Sequence, residues 1–116
     1  MRMWMVPPAI MCRKHLLGEH AELHMFVGTI NKGISVAGYL RDNLLEPMSL
    51  LARHMELSWE MATRGYKHKS ELLSVNVERL TPAQLFTKIN REASLGELIR
   101  RCPECRARYE ESLKCG

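Results

Sequence analysis

Three features of the sequence predict an all-α fold, with three main helices and an extended N-terminal segment. Leu16, Leu23, Val27 and Ile30 recur at spacings of seven, four and three, which stacks them on one helical face. Leu50, His54, Leu57 and Met61 recur at four, three and four and mark a second helix. Helix punctuation follows in register: Gly33 and Gly65 suit left-handed C-terminal caps, and Thr81-Pro82 reads as an N-cap followed by proline at the first helical position. A chain of 116 residues is expected to form a single domain over 1–116. Aromatics are only 6% of the chain, so aliphatic residues and eight methionines must supply most of the packing.

In chain order, residues 1–6 are apolar and alternating, and Pro7-Pro8 then allows them to lie back along the first helix. That helix is predicted from Pro8 to Asn31. Gly18 within it costs about 1 kcal/mol relative to alanine, which points to packing or to close approach of a ligand. Residues 33–46 read as a connector with one short helical turn. The second helix opens at Pro47 and closes at Arg64-Gly65, with Trp59 off its apolar line. The V-N-V of 75–77 suits a brief extended piece. A short helix is expected over 82–89, and a third main helix over 92–101 with Leu95, Leu98 and Ile99 buried. Cys102-Pro103 breaks or restarts it.

The formal charge of +4 is unevenly spread. Arg2, Arg13 and Lys14, then Arg64, Lys67 and Lys69, then Arg100, Arg101, Arg106 and Arg108 form three basic segments. They permit a polyanionic partner, and ordinary solvated faces explain them equally well on charge alone. No apolar run reaches membrane-spanning length, and no secretory signal is recognisable, so a cytoplasmic protein with reduced cysteines is expected. Glycine-rich phosphate loops, G-x-S-x-G and H-E-x-x-H are absent, which excludes the enzymes that carry those motifs.

The densest chemistry lies between Cys12 and Gly28. His15, Glu19 and Glu22 share one helical face; His20 and His24 share another. H-A-E-L-H places Glu22 at the wrong offset for a zincin, so surface or interface histidines are the plainer reading. Glu19 and Glu22 are neighbours on the helix and would serve as an acid–base pair under a cleft; a charged face beside Arg13 and Lys14 is the alternative. Cys102, Cys105 and Cys115 offer three thiols toward a structural zinc, which Cys12 or a histidine such as His15 completes only through folding. Reduced, partly buried thiols are the alternative, and no other cofactor is called for.

H-L-L-G-E-H-A-E-L-H-M-F-V-G at 15–28 resembles the first long helix of the phage-type pyrimidine-dimer DNA glycosylases. R-H-M-E-L-S-W-E-M-A-T-R-G-Y at 53–66 is similar to that family's second helix and its Arg-Gly-aromatic exit. R-E-A-S at 91–94, E-L-I, and P-x-x-R-x-R-Y at 103–109 resemble its third helix and C-terminal segment.

The resemblance implies a compact α domain that flips a base beside damaged pyrimidines, and a bifunctional DNA glycosylase and abasic-site lyase. In such an enzyme an N-terminal α-amine forms an imine at the sugar C1′, and a first-helix glutamate, matching Glu22, is essential. An unperturbed α-amine titrates at about 7.7–8.0, so a usable fraction is neutral near pH 7. Met1 is the expected source of the amine, since Arg2 disfavours removal of an initiator methionine; Arg2 is the source if Met1 is trimmed. His15 and Glu19 become supporting residues. Arg13, Lys14, Arg64, Lys67, Arg101 and Tyr109 become contacts to double-stranded DNA, damaged or abasic, bound by a monomer.

The sequence departs from the family at Ala21 and Met25, which match two arginines of the family's first helix, and at C-R-A-R-Y in place of the family's aromatic-rich end, keeping Tyr109. A non-catalytic nucleic-acid-binding or interaction protein of the same fold, with zinc at the C-terminal cysteines, is the alternative.

Overall fold

The computed structural model describes residues 1–67 and 71–114; Lys69 and Cys115 lie outside them. The described residues form six α-helices and no strand. They are α1 (Arg13–Asn31), α2 (Ala37–Arg41), α3 (Leu50–Thr63), α4 (Pro82–Leu85), α5 (Arg91–Arg101) and α6 (Pro103–Lys114), with 3-10 turns at Pro8–Ile10, Pro47–Ser49 and Val77–Arg79. Four helices are long, one more than the sequence predicts, because Cys102-Pro103 restarts the chain as α6 rather than ending it.

Local chemistry accounts for most boundaries. Pro8 opens a 3-10 turn instead of α1 itself, which starts after Cys12; the Cys12 side chain accepts from the His15 N–H as the N-cap. Gly33 and Gly65 follow α1 and α3 at φ +75° and +81°, conformations that cost glycine nothing. Thr81 and Gln84 form a reciprocal capping box, but α4 stops at Leu85, shorter than expected. The V-N-V segment carries no strand; it leads into a 3-10 turn.

Both predicted stripes are buried: Leu16, Leu23, Val27 and Ile30 on α1, and Leu50, His54, Leu57 and Met61 on α3, the two helices packing directly. In α5 the buried residues are Ser94 and Leu98; Leu95 and Ile99 are half-buried, since that helix lies at the margin of the core.

The extended N-terminal segment is itself core. Met3, Trp4, Met5 and Val6 are all buried. The Met3 N–H donates to the Leu44 carbonyl at 2.8 Å, the Trp4 carbonyl accepts the Ser94 hydroxyl, and the Val6 carbonyl accepts Arg53 Nη1 at 2.7 Å. Met5 takes a left-handed φ of 55°, which costs a side-chain-bearing residue about 1–2 kcal/mol and is offset by burial of its neighbours.

Two charged groups brace this arrangement. Arg53, 1% exposed, grips Glu19 through two hydrogen bonds of 2.7 and 2.9 Å. Glu46, also 1% exposed, accepts from Arg91, from the Ile89 N–H and from the Ser49 hydroxyl. Burial alone would raise the Glu46 carboxyl; these donors more than reverse it and bring its pKa to about 2 from 4.5.

Removing one partner of a buried pair strands the other charge, so Glu19→Gln should destabilise the fold by about 3 kcal/mol in urea unfolding. The depressed Glu46 pKa stabilises the folded state above its unfolded value of 4.5, and that stabilisation is lost as pH falls toward 2. Screening at the half-exposed Arg91 limits the loss to about 2 kcal/mol. Glu46→Gln should therefore flatten the stability change between about pH 5 and about pH 2.5; an unchanged slope would assign the acid sensitivity elsewhere.

Candidate functional site

A cleft of about 580 Å³ opens between the extended N-terminal segment and α1. Met1, Arg2 and Trp4 line one side, Lys14, His15, Gly18, Glu19 and Glu22 the helical side, and Leu44 and Arg101 the ends. The helical residues meet there because 15, 18, 19 and 22 recur at three and four along α1. Gly18 belongs to this wall: a Cβ on it would meet no atom within 4 Å, so the glycine keeps the cleft open rather than relieving a packing clash.

The backbone N–H of Arg2 donates to Glu22 Oε2 at 3.1 Å, which joins the start of the chain to the half-buried carboxylate. The Arg2 guanidinium lies 3.8 Å from the Trp4 ring centroid, a cation–π contact, and its Nη2 donates to Ser94 Oγ at 3.2 Å. Its Nε is buried with no hydrogen-bond partner among the described residues. Burial first, then the charge of Arg101, lowers the Arg2 pKa. Glu19 reaches the same cleft, but its carboxylate is taken by Arg53, so it forms floor rather than reagent. His15 packs edge-on against Trp4; burial, then Lys14, lowers its pKa.

The remaining predicted contacts divide by what they touch. Arg13, Lys14 and Lys67 are exposed; Arg13 also caps the Tyr66 ring at 4.8 Å. Arg101 is exposed at the cleft and pairs with Glu97. Arg64 is engaged internally, donating to the Pro8 and Met11 carbonyls and to Glu60. Tyr109 lines a different hollow with Arg106 and Ile99. The periodicity analysis did not reach Trp4, Arg53 or Ser94. Arg53 carried a positional signal, an arginine one turn from the buried positions Leu50 and Leu57, and Ser94 stood within the family-like R-E-A-S.

Among the described residues, two groups of side chains could hold a metal. Cys12, His15, Cys102 and Cys105 place one ligand atom each within 4.8 Å of one another, and so do His20, His24 and His54. The three imidazoles bridge α1 and α3 with ring centroids 4.6–5.1 Å apart. His20 and His54 are buried and His24 is half-buried, so of the surface and interface readings of the His20/His24 pair the structure supports a place between helices, with α3 covering it, and His54 is buried as its apolar stripe predicts.

The family model for pyrimidine dimer DNA glycosylase matches residues 1–74, which hold the N-terminal segment, α1, α3 and every cleft residue except Arg101. The resemblance read at 91–109 lies beyond that match. No curated protein and no solved structure matches the chain. No helix among the described residues is long and apolar enough to cross a membrane. With its match spanning more than half of the sequence, the chain belongs to the pyrimidine dimer DNA glycosylase family.

Proposed function

We propose that the protein is a DNA glycosylase with abasic-site lyase activity, acting through the α-amine of Met1 and the carboxylate of Glu22 on duplex DNA that carries a damaged pyrimidine or an abasic site. The observation that supports this reading is the 3.1 Å hydrogen bond from the Arg2 N–H to Glu22. Three bonds separate the Met1 nitrogen from that of Arg2, so covalent geometry keeps it within about 4 Å of the nitrogen that Glu22 already holds.

The chemistry follows from those two groups. The neutral amine attacks C1′ of the sugar; the glycosidic bond breaks and the base departs with the electron pair. Glu22 steadies the positive charge that develops on the sugar. Loss of one amine proton leaves the nitrogen lone pair to form the C=N bond as the C1′–O4′ bond breaks and O4′ takes up a proton, which opens the sugar ring to a protonated imine. Removal of a C2′ proton then expels the 3′ phosphate by β-elimination. Hydrolysis returns the amine. If Met1 is trimmed, the Arg2 nitrogen itself becomes the nucleophile and already contacts Glu22. Arg13, Lys14, Lys67 and Arg101 are exposed and offer their charge to phosphate, Arg101 while paired with Glu97; Arg64, held internally, is not among them.

Borohydride reduction on abasic-site duplex DNA should trap a covalent adduct. Glu22→Gln should lower trapping at least about 100-fold, and a two-residue extension ahead of Met1 should abolish it. Absence of an adduct with the native protein at low salt, or full trapping by Glu22→Gln, would refute the reading.

Gly18→Ala separates stability from function. The substitution should stabilise α1 by about 0.5–1 kcal/mol in urea unfolding, because the methyl meets no neighbour. The same methyl narrows the cleft, so binding to abasic-site DNA should weaken.

A further inference from the structure

The geometry points to a structural zinc site formed by Cys12, His15, Cys102 and Cys105. The three sulfurs are reduced and buried, and Cys105 is fully enclosed. Tetrahedral zinc with sulfur and nitrogen ligands at about 2.3 and 2.0–2.1 Å requires about 3.8 Å between two sulfurs and about 3.6 Å between sulfur and nitrogen. The protein presents 3.8 Å between the sulfurs of Cys12 and Cys102, 3.7 Å between Cys105 Sγ and His15 Nδ1, and 3.2 Å between Cys12 Sγ and His15 Nδ1. Only the last is tighter than an ideal tetrahedral edge.

The backbone is arranged for thiolates. The N–H groups of Cys12, Cys105 and His15 point at the sulfurs of Cys105, Cys102 and Cys12, at 3.2, 3.4 and 3.5 Å. Cys12 precedes α1 and Cys102 precedes α6, so the positive ends of two helices converge on the cluster. Each half of the set is a pair separated by two residues, C-R-K-H and C-P-E-C, the spacing that lets one turn supply two ligands.

The site has a consequence for the cleft. Its first pair lies within the family match and its second lies beyond residue 74, so the ion would tie the C-terminal helices to the family-matched portion of the chain. His15 would be held at the wall beside Trp4, with its Nδ1 committed to the metal and its ring still facing the cleft. The assignment stands independently of the amine chemistry. Cys115, the third thiol the sequence offered, lies outside the described residues; Cys12 and His15, named from the sequence as ligands that only folding supplies, complete the set.

The test is metal content and cobalt spectroscopy on the full-length protein. Purified under reducing conditions from zinc-supplemented medium, it should carry about one zinc ion per chain through dialysis. Expression in cobalt-supplemented medium should give thiolate-to-cobalt charge transfer in the near ultraviolet and intense tetrahedral bands in the visible. Cys102→Ser and Cys105→Ser should lose the ion, His54→Ala should keep it, and His15→Cys should keep it with a shifted cobalt spectrum.

Where a serine variant fails to fold, the native cobalt spectrum decides. A native protein that carries no zinc and takes up no cobalt, its four thiols reduced, overturns the assignment. So does a Cys12–Cys102 disulfide, or cobalt without thiolate charge transfer. An ion that survives Cys102→Ser and leaves with His54→Ala belongs to the histidine cluster and also overturns it.

Discussion

A single buried guanidinium holds the working parts of this molecule in register. Arg53 projects from α3, grips both oxygens of Glu19 on α1, and donates to the Val6 carbonyl of the N-terminal segment. Three stretches distant in sequence therefore meet on one charge. Burying that charge is costly, and only complete pairing makes it tolerable. The same pair sets the height of α1 against the first six residues, and Glu22 lies one turn beyond Glu19. The carboxylate that meets the chain start owes its position to a charge pair that does no chemistry itself.

The N-terminal segment is the second half of that arrangement. Chain ends usually fray because nothing offsets their entropy. Here four consecutive side chains, Met3 to Val6, are buried, and the backbone between them bonds to Leu44, Ser94 and Arg53. A terminus anchored from Met3 onward keeps the Met1 amine close to one place, as the proposed amine chemistry requires. Glu46 contributes at a distance: it pins the Ile89 N–H and Arg91, and so the start of the helix that carries Ser94.

Periodicity and capping chemistry exposed much of the fold in the sequence. The α1 and α3 stripes and the glycine caps are local patterns, and each was readable from a few neighbouring residues. The length of α6 was not, because Cys102-Pro103 reads equally as a stop and as a new N-terminus. Glu22 was legible through family resemblance, but its contact with the Arg2 N–H depends on a path set by long-range packing. The histidine pair left surface and interface open for the same reason: an i, i+4 pair announces a shared face, not whether another helix covers it. His54 covers it from α3, at ring distances of 4.6 and 5.0 Å. The cysteine pair at 102 and 105 was visible, whereas its complement, Cys12 and His15, is brought alongside only by docking of α6 on the 3-10 turn before α1, where Arg108 binds the Ala9 carbonyl.

Two primary amines border the cleft, the α-amine of Met1 and the ε-amine of Lys14, and both have the reactivity to form an imine. Only the first is tied through the backbone to Glu22. Proteolysis of a borohydride-reduced adduct, followed by peptide mass spectrometry, identifies the nitrogen that carries the sugar. The arrangement of Arg53, the buried N-terminal segment and Glu22 predicts the modification on the α-nitrogen of the first residue. A modified Lys14, with an unmodified N-terminal peptide, would contradict it.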